Sequence, residues 1–221
     1  MCRLSLDAYE YVGVAVPGAV PTLAATILFP ELGALIGAAG IELGGLGLFL
    51  VIAFVVGHGV QSVGSLIEWA EERCDRGFRS MPFRQGRGGV DETQWRRFLL
   101  ICERRLGVRP DEVSEDTWSG IRKEVIACLS DKATRRIEVF NRTYGLCRGL
   151  CAGLLLASLM TLMVAGMPEW PAAVALLIGA VVMFLRKRRF GRYYLQEVVA
   201  RFLAFDAAAA PVSAPEKGPI N

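Results

Sequence analysis

The sequence predicts an all-α integral membrane protein with four transmembrane helices and a helical cytoplasmic insertion. The hydrophobic fraction is 53% and the mean hydropathy is +0.39, both high for a soluble globular protein. All 25 Lys and Arg residues lie outside residues 8–72 and 149–185, where the apolar residues are concentrated. A polytopic membrane protein sorts its charges in this way because Lys and Arg accumulate in cytoplasmic loops.

The first transmembrane hairpin is predicted within residues 1–75. Its first crossing is an apolar block over about residues 11–29, long enough for a bilayer, and Pro17 and Pro21 predict a kink in it. A re-entrant first segment is the alternative. A Gly- and Ala-rich outer connection follows, and the second crossing covers about residues 46–68.

A cytoplasmic helical insertion is predicted over residues 76–147. It begins with an Arg- and Gly-rich loop that has no apolar periodicity. Asp91 and Ser114 each open a helix with acidic residues in its first turn, which suits the helix dipole. A long helix then begins near Asp131, and its charged first half runs directly into the third crossing.

The second transmembrane hairpin is predicted within residues 148–189, with crossings at about 148–166 and 172–186. A basic and aromatic juxtamembrane helix is expected at residues 190–206, and a disordered Ala- and Pro-rich tail at 207–221. Four crossings place both termini and the insertion in the cytoplasm. The sequence therefore predicts a multi-pass protein of the bacterial inner membrane.

A stripe of polar residues runs along the second crossing, and a second stripe stands where the third crossing begins. The first stripe, with spacings of three, four and three, contains His58, Gln61, Ser65 and Glu68, and the second contains Asn141, Tyr144 and Arg148. An ionisable group inside a membrane usually faces a partner or a water-filled cavity. We therefore expect Arg148 to pair with Glu68, while Tyr144 or Asn141 bonds Gln61 or His58.

This polar stripe has two interpretations. It is either a structural clamp between two helices or a functional site that handles protons, ions or lipid head groups. In the second case His58, the only histidine in the chain, is the titrating group, because its reference pKa lies near neutrality.

The sequence contains no recognisable catalytic motif. His58 and Glu68 are about 15 Å apart along a helix, and no nucleophile elbow, metalloprotease motif or phosphate-binding loop is present. The six cysteines form no Cys-x-x-Cys pair. We therefore predict no catalytic residue, no metal and no cofactor, and we favour a protein that is not an enzyme.

Glycines at four-residue spacing predict close helix packing. The positions selected are Gly57 and Gly64 in the second crossing and Gly145, Gly149 and Gly153 in the third. Packing of crossings two and three on each other is the favoured interpretation, and homo-oligomer packing is its rival.

A basic run ends the fourth crossing and marks the expected contact with the membrane surface. It comprises Arg186, Lys187, Arg188, Arg189 and Arg192. Beside a bilayer such a run binds anionic lipid head groups, and no nucleic acid is expected.

The stretches "AYEYVGVAVPGAVP" and "VVGHGVQSVGSLIE" resemble a loosely defined set of uncharacterised bacterial membrane proteins. The shared features are an aromatic and acidic start, Pro-Gly in the first crossing and Gly-His-x-x-Gln-x-x-Gly in the second. The resemblance covers about the first 70 residues, together with an aromatic-Gly-x-x-Arg sequence at Tyr144 to Arg148. It implies a membrane location and no particular activity.

The favoured function is a non-enzymatic oligomeric membrane module, controlled by a cytoplasmic protein partner or another signal that acts on its cytoplasmic helices. Such a module is channel-like, membrane-perturbing or signalling. Effectors of bacterial defence systems have this general layout, which is an analogy of architecture alone. One alternative is an intramembrane enzyme that uses His58, Gln61 and Glu68 on a lipid or small amphiphile. Another is a non-conducting membrane scaffold.

Overall fold

The computed structural model describes residues 8–37, 43–74, 81–83 and 89–209, and the all-α prediction is confirmed over them: no strand occurs in these ranges. The seven α-helices there are α1 (Ala8–Leu28), α2 (Pro30–Gly37), α3 (Leu43–Arg73), α4 (Glu92–Leu106), α5 (Glu115–Ala127), α6 (Asp131–Ala165) and α7 (Trp170–Ala209). Short 3-10 turns stand at Met81–Phe83, Pro110–Glu112 and Met167–Glu169. Most of the loop expected at 76–89 lies outside the described residues.

Four of these helices, α1, α3, α6 and α7, are long and apolar enough to cross a membrane. The predicted four-helix membrane architecture is thereby confirmed. Two compact units make up the chain. The first comprises Met1–Phe78 and Val139–Gly191, and the second comprises Arg79–Glu138 and Arg192–Asn221. Helices α6 and α7 each run without a break from one unit into the other.

The first unit has small side chains and glycines in its interior. Gly18 of α1 and Gly57 of α3 lie where the two helices meet. A Cβ on Gly18 would overlap the carbonyl of Ala53, and a Cβ on Gly57 would overlap that of Val14. Only residues without a Cβ permit so close an approach of two helices.

Two prolines lie inside α1 without ending it. A helical proline has no N–H to offer to the carbonyl four residues earlier, so Pro17 frees the carbonyl of Gly13, and Pro21 frees that of Pro17. The freed carbonyls face neighbouring helices. Gln61 Nε2 donates to Gly13 at 2.9 Å, and Gly153 of α6 packs against the Pro17 carbonyl, which would be 2.6 Å from a Cβ there.

The second unit has an aromatic core of the kind found in water-soluble helical domains. Trp95 and Phe98 of α4, Trp118 of α5 and Phe202 of α7 are buried, and their rings lie 5.2–6.1 Å apart between centroids in successive contacts. The start of α6 contributes Ile137 to the buried set. Rings at these separations stabilise a core beyond the area that they bury.

Capping interactions and ion pairs fix the helices of the second unit. Asp91 accepts a hydrogen bond from the Thr93 amide at 3.0 Å, and Gly107 ends α4 in the left-handed conformation at φ 69°. Asp206 of α7 pairs with Arg104 and Arg105 of α4. Helix α7 is therefore tied to the inserted helices by charge as well as by its buried face.

The C-terminal segment differs from the sequence-based expectation. The region expected as a separate juxtamembrane helix at 190–206 is the continuation of α7, which extends to Ala209. Its residues Leu195, Val198, Val199 and Phe202 are buried in the second unit. This part of α7 packs as a core helix because these apolar residues recur every three or four positions. The remainder of the predicted tail lies outside the described residues.

Candidate functional site

The candidate site is a cluster of polar side chains in the first unit, to which α3, α6 and α7 all contribute. Its centre is Glu68 of α3. Tyr144 donates its hydroxyl to one carboxylate oxygen at 2.6 Å, and Arg148 Nη1 donates to the other at 2.6 Å. Both donors come from α6, where positions four residues apart lie on one face. The carboxylate is therefore held by two charge-assisted hydrogen bonds.

The hydrogen bonds continue from Arg148 to α1. Arg148 Nη2 donates to Gln61 Oε1 at 3.3 Å, and the amide group of Gln61 donates in turn to the Gly13 carbonyl at 2.9 Å. The Gln61 side chain thus donates to the Gly13 carbonyl the hydrogen bond that the backbone N–H of a residue other than proline would donate from position 17. One connected chain of polar groups links α1, α3 and α6.

A second ion pair brings α7 into the cluster. Lys187 is only 3% exposed and its ammonium group pairs with Glu71 of α3. The same ammonium lies 5.8 Å from the centre of the Tyr144 ring and 5.3 Å from that of Phe184. A buried ammonium requires such compensation because its desolvation is costly.

Together the two ion pairs neutralise the charge of the cluster. Glu68 is matched by Arg148, and Glu71 by Lys187, so two carboxylates meet two cations. The side chains of Glu68 and Arg148 are each about one-quarter exposed. All four helices that are long enough to span a membrane are joined by this set of contacts, which we call the polar network: Gln61, Glu68, Glu71, Tyr144, Arg148 and Lys187.

The predicted stripe on α3 divides into two faces. Gln61 and Glu68 belong to the polar network. His58 and Ser65 are exposed; Ser65 bonds the Gln61 carbonyl of its own helix at 3.1 Å, and the His58 ring stands edge-on to Phe54 at 4.9 Å. Asn141 of α6 is exposed as well. The His58, Gln61 and Glu68 constellation proposed for an intramembrane enzyme is therefore not assembled on one face.

The selected glycines also separate by environment. Gly149 and Gly153 pack mainly against Pro17 of α1, and a Cβ on Gly149 would also lie 2.7 Å from Gln61 Nε2. Gly64 of α3 lies against the Arg148 side chain, at 3.2 Å from the Cβ position. No described atom outside its own helix lies within 4 Å of that position at Gly145. The glycines of α6 thus bring it close to α1 more than to α3.

The basic run of α7 is not uniform. Arg186, Arg189 and Arg192 are exposed and Arg188 is half-buried, and Arg186 lies over the Phe190 ring at 5.7 Å. Lys187 differs from them because it points inward to Glu71. We therefore assign Lys187 to the polar network and keep the four arginines as the surface set.

Two members of the polar network, Glu71 and the inward-facing Lys187, were not predicted from the sequence. Glu71 lies three residues beyond Glu68 and so continues its helical face. Among the described residues no group of three His, Cys, Asp or Glu side chains could hold a metal ion. The polar network offers acid–base groups and hydrogen bonds, in the arrangement of an interhelical clamp.

Comparison of the chain with the models of known protein families, with curated proteins and with solved structures finds no match in any of the three.

Proposed function

We propose that the protein is a non-enzymatic membrane module whose spanning helices are held in a resting arrangement by the polar network and are controlled through the inserted helices. The observation that supports this most directly is the continuity of α6 and α7. Each of these helices contributes to the core of the second unit and also carries network residues in the first.

The distances along these helices are short. Glu138, the last residue of α6 in the second unit, is about 15 Å from Arg148 along the helix axis. On α7, Arg192 is about 7.5 Å from Lys187. A partner that binds the second unit and displaces either helix would act directly on the two ion pairs. Packed interfaces respond to such displacements by switching between discrete arrangements.

The proposed setting is a bacterial inner membrane with both termini and the inserted helices in the cytoplasm. The distribution of Lys and Arg supports this orientation, and Arg186, Arg188, Arg189 and Arg192 would meet anionic head groups there. In this setting the module assembles as a homo-oligomer, and its response is passage of ions or small solutes, or perturbation of the bilayer.

Efflux from reconstituted lipid vesicles tests the proposal. Vesicles loaded with K⁺ and a small fluorescent dye would carry wild-type protein or one of three variants. Glu68→Gln removes one of the two negative charges of the polar network with little change in shape, Phe98→Ala loosens the core of the second unit, and Ser65→Ala is the matched control on the same helix. We expect Glu68→Gln and Phe98→Ala to change efflux severalfold, and Ser65→Ala to match wild type.

Two results would overturn the proposal in different ways. Efflux from wild type and every variant at the rate of protein-free vesicles would indicate a non-conducting scaffold. Efflux that responds to Glu68→Gln but not to Phe98→Ala would show that the inserted helices exert no control. Circular dichroism and gel filtration of each variant establish that the helices have formed before the vesicles are prepared.

A further inference from the structure

The first unit contains a groove that is separate from the polar network. It has a volume of about 610 Å³ and is lined by α1, α6, the Met167–Glu169 turn and the start of α7. This volume falls within the usual range for small-molecule sites. The groove exists because alanines on three helices, among them Ala24, Ala157 and Ala172, line it where larger side chains would close it.

The groove opens sideways from the helices. Leu23 and Ile27 of α1 line it and are 54% and 72% exposed. In a spanning segment this exposed side faces the acyl chains of the bilayer. Along α1 the lining extends from Val20 to Leu28, about 12 Å of helix. An occupant entering from the membrane would therefore be elongated and apolar.

One charged residue, Glu169, lines this otherwise uncharged groove. It stands in the turn between α6 and α7, next to Trp170, a residue type typical of membrane interfaces. No Lys or Arg occurs in residues 8–72 or 149–185. The lining therefore combines an apolar trough with a single negative charge at one end and has no cation to balance it.

We infer that this groove binds a single-chain amphiphile with a cationic ammonium head group. The alkyl chain lies along α1 and α6, and the ammonium group pairs with Glu169. An anionic amphiphile would meet the same carboxylate and be repelled. The volume suits one alkyl chain and is too small for both acyl chains of a bilayer lipid. This inference is independent of the proposed control of the helices, because none of the lining residues belongs to the polar network.

Photolabelling of the full chain in a non-ionic detergent tests the inference. The probes are a dodecyltrimethylammonium and a dodecyl sulfate, each with the same diazirine on its tail, and the labelled peptides are mapped by mass spectrometry. We expect the ammonium probe to label residues 20–28 and 157–165, and this labelling to reach saturation as the probe concentration rises. The sulfate probe should not label these segments.

Two pairs of variants identify the groove and its charge. Ala24→Leu should abolish labelling of the groove, whereas Ala25→Leu, the same change at the adjacent residue that does not line it, should leave labelling intact. Glu169→Gln should raise the probe concentration at half-saturation about threefold, as expected for an ion pair with an exposed carboxylate. Glu31→Gln, which neutralises an acid outside the groove, should leave half-saturation at the wild-type value.

Three results would overturn the inference: equal labelling by both probes, labelling unchanged by Ala24→Leu, or half-saturation unchanged by Glu169→Gln. Circular dichroism and thermal unfolding verify that each variant folds. A variant that does not fold is replaced by competition on wild type, where unlabelled dodecyltrimethylammonium should displace the probe and dodecyl maltoside should not.

Discussion

The interiors of the two units are built on opposite plans. In the first unit the buried positions hold small or polar residues such as Ala53, Ala157 and Ser158, while Ile27 and Met163 are more than 70% exposed. In the second unit large aromatic side chains are buried and most charged side chains are exposed, with the paired Asp206 as a buried exception. The two plans correspond to the packing expected in two solvents. Lipid is as apolar as a leucine side chain, so helices in it associate by close packing and polar contacts. In water the burial of apolar area drives association instead.

This comparison predicts that the two units fail in opposite ways. The interior of the second unit should be damaged when a large side chain is removed, because a cavity remains. The interior of the first should be damaged when a side chain is added, because the helices cannot approach.

The largest effect is expected for Phe98→Ala in the second unit. Phe98 is fully buried beside Trp95, Trp118 and Phe202, so truncation should cost about 3–5 kcal/mol. Urea unfolding of the full chain in a non-ionic detergent, followed by tryptophan fluorescence, measures this loss. Leu100→Ala is the control on the same helix; Leu100 is 60% exposed, and a change of about 0.5 kcal/mol or less is expected. Equal losses for both variants would contradict the assigned core.

A smaller destabilisation is expected for Gly57→Val in the first unit, where a side chain is added instead of removed. The added side chain meets the carbonyl of Val14, so α1 and α3 must separate, at a cost of about 1–3 kcal/mol. Unfolding in mixed micelles of dodecyl maltoside and sodium dodecyl sulfate measures it. Gly59→Val is the matched control, since no described atom outside its own helix lies within 4 Å of its Cβ position. Destabilisation by Gly59→Val as large as that by Gly57→Val would show that helix propensity, not packing, controls the result.

The contact of Gln61 with α1 should contribute about 1 kcal/mol. Gln61→Ala leaves the Gly13 carbonyl without its donor, whereas Pro17→Ala supplies the missing helical N–H. The loss caused by Gln61→Ala should therefore be smaller in a Pro17→Ala background. Unfolding of the four proteins in mixed micelles provides the comparison. Strictly additive losses would mean that Gln61 does not substitute for the proline N–H.

The smallest effect concerns the cap of α4 in the second unit. The hydrogen bond from the Thr93 amide lowers the pKa of Asp91 below its ordinary value of 3.8. A lowered pKa in the folded state means that the cap stabilises the helix above the unfolded pKa and that this contribution is lost as the pH falls through the folded pKa. The unfolding temperature of wild type should fall more between pH 5 and about pH 2.5 than that of Asp91→Asn. Identical pH profiles would contradict this role.

The membrane architecture could be predicted from the sequence because it depends on segment length, hydropathy and the position of charges. The four crossings, the inserted helices and the pairing of Glu68 with Arg148 follow from those patterns. The partner of Tyr144 does not: it was expected to be Gln61 or His58, and it is Glu68. Helical geometry also explains the division of the α3 stripe. At 100° per residue the four side chains span an arc of about 80°, with His58 and Ser65 at one edge and Gln61 and Glu68 at the other. The contacts with α1 and α6 fall on the second edge.

Two features of the first unit required the structure. Lys187 lies within a run of arginines and looks like them in sequence, yet it shares a helical stripe with Leu195 and Val198 and faces inward. The role of Gln61 depends on Pro17, 44 positions earlier, because a proline frees a carbonyl without indicating which residue will reach it. Both features depend on long-range packing, which local periodicity does not contain.

A double-mutant cycle between Glu68 and Arg148 measures directly whether the polar network holds the spanning helices together. Glu68→Ala, Arg148→Ala and the double variant would be unfolded in mixed micelles alongside wild type. We expect a coupling free energy of about 1 kcal/mol or more between the two positions, because each single variant leaves a partly buried charge that the double variant removes. Additive losses, with a coupling near zero, would contradict the network as the contact that holds the spanning helices together.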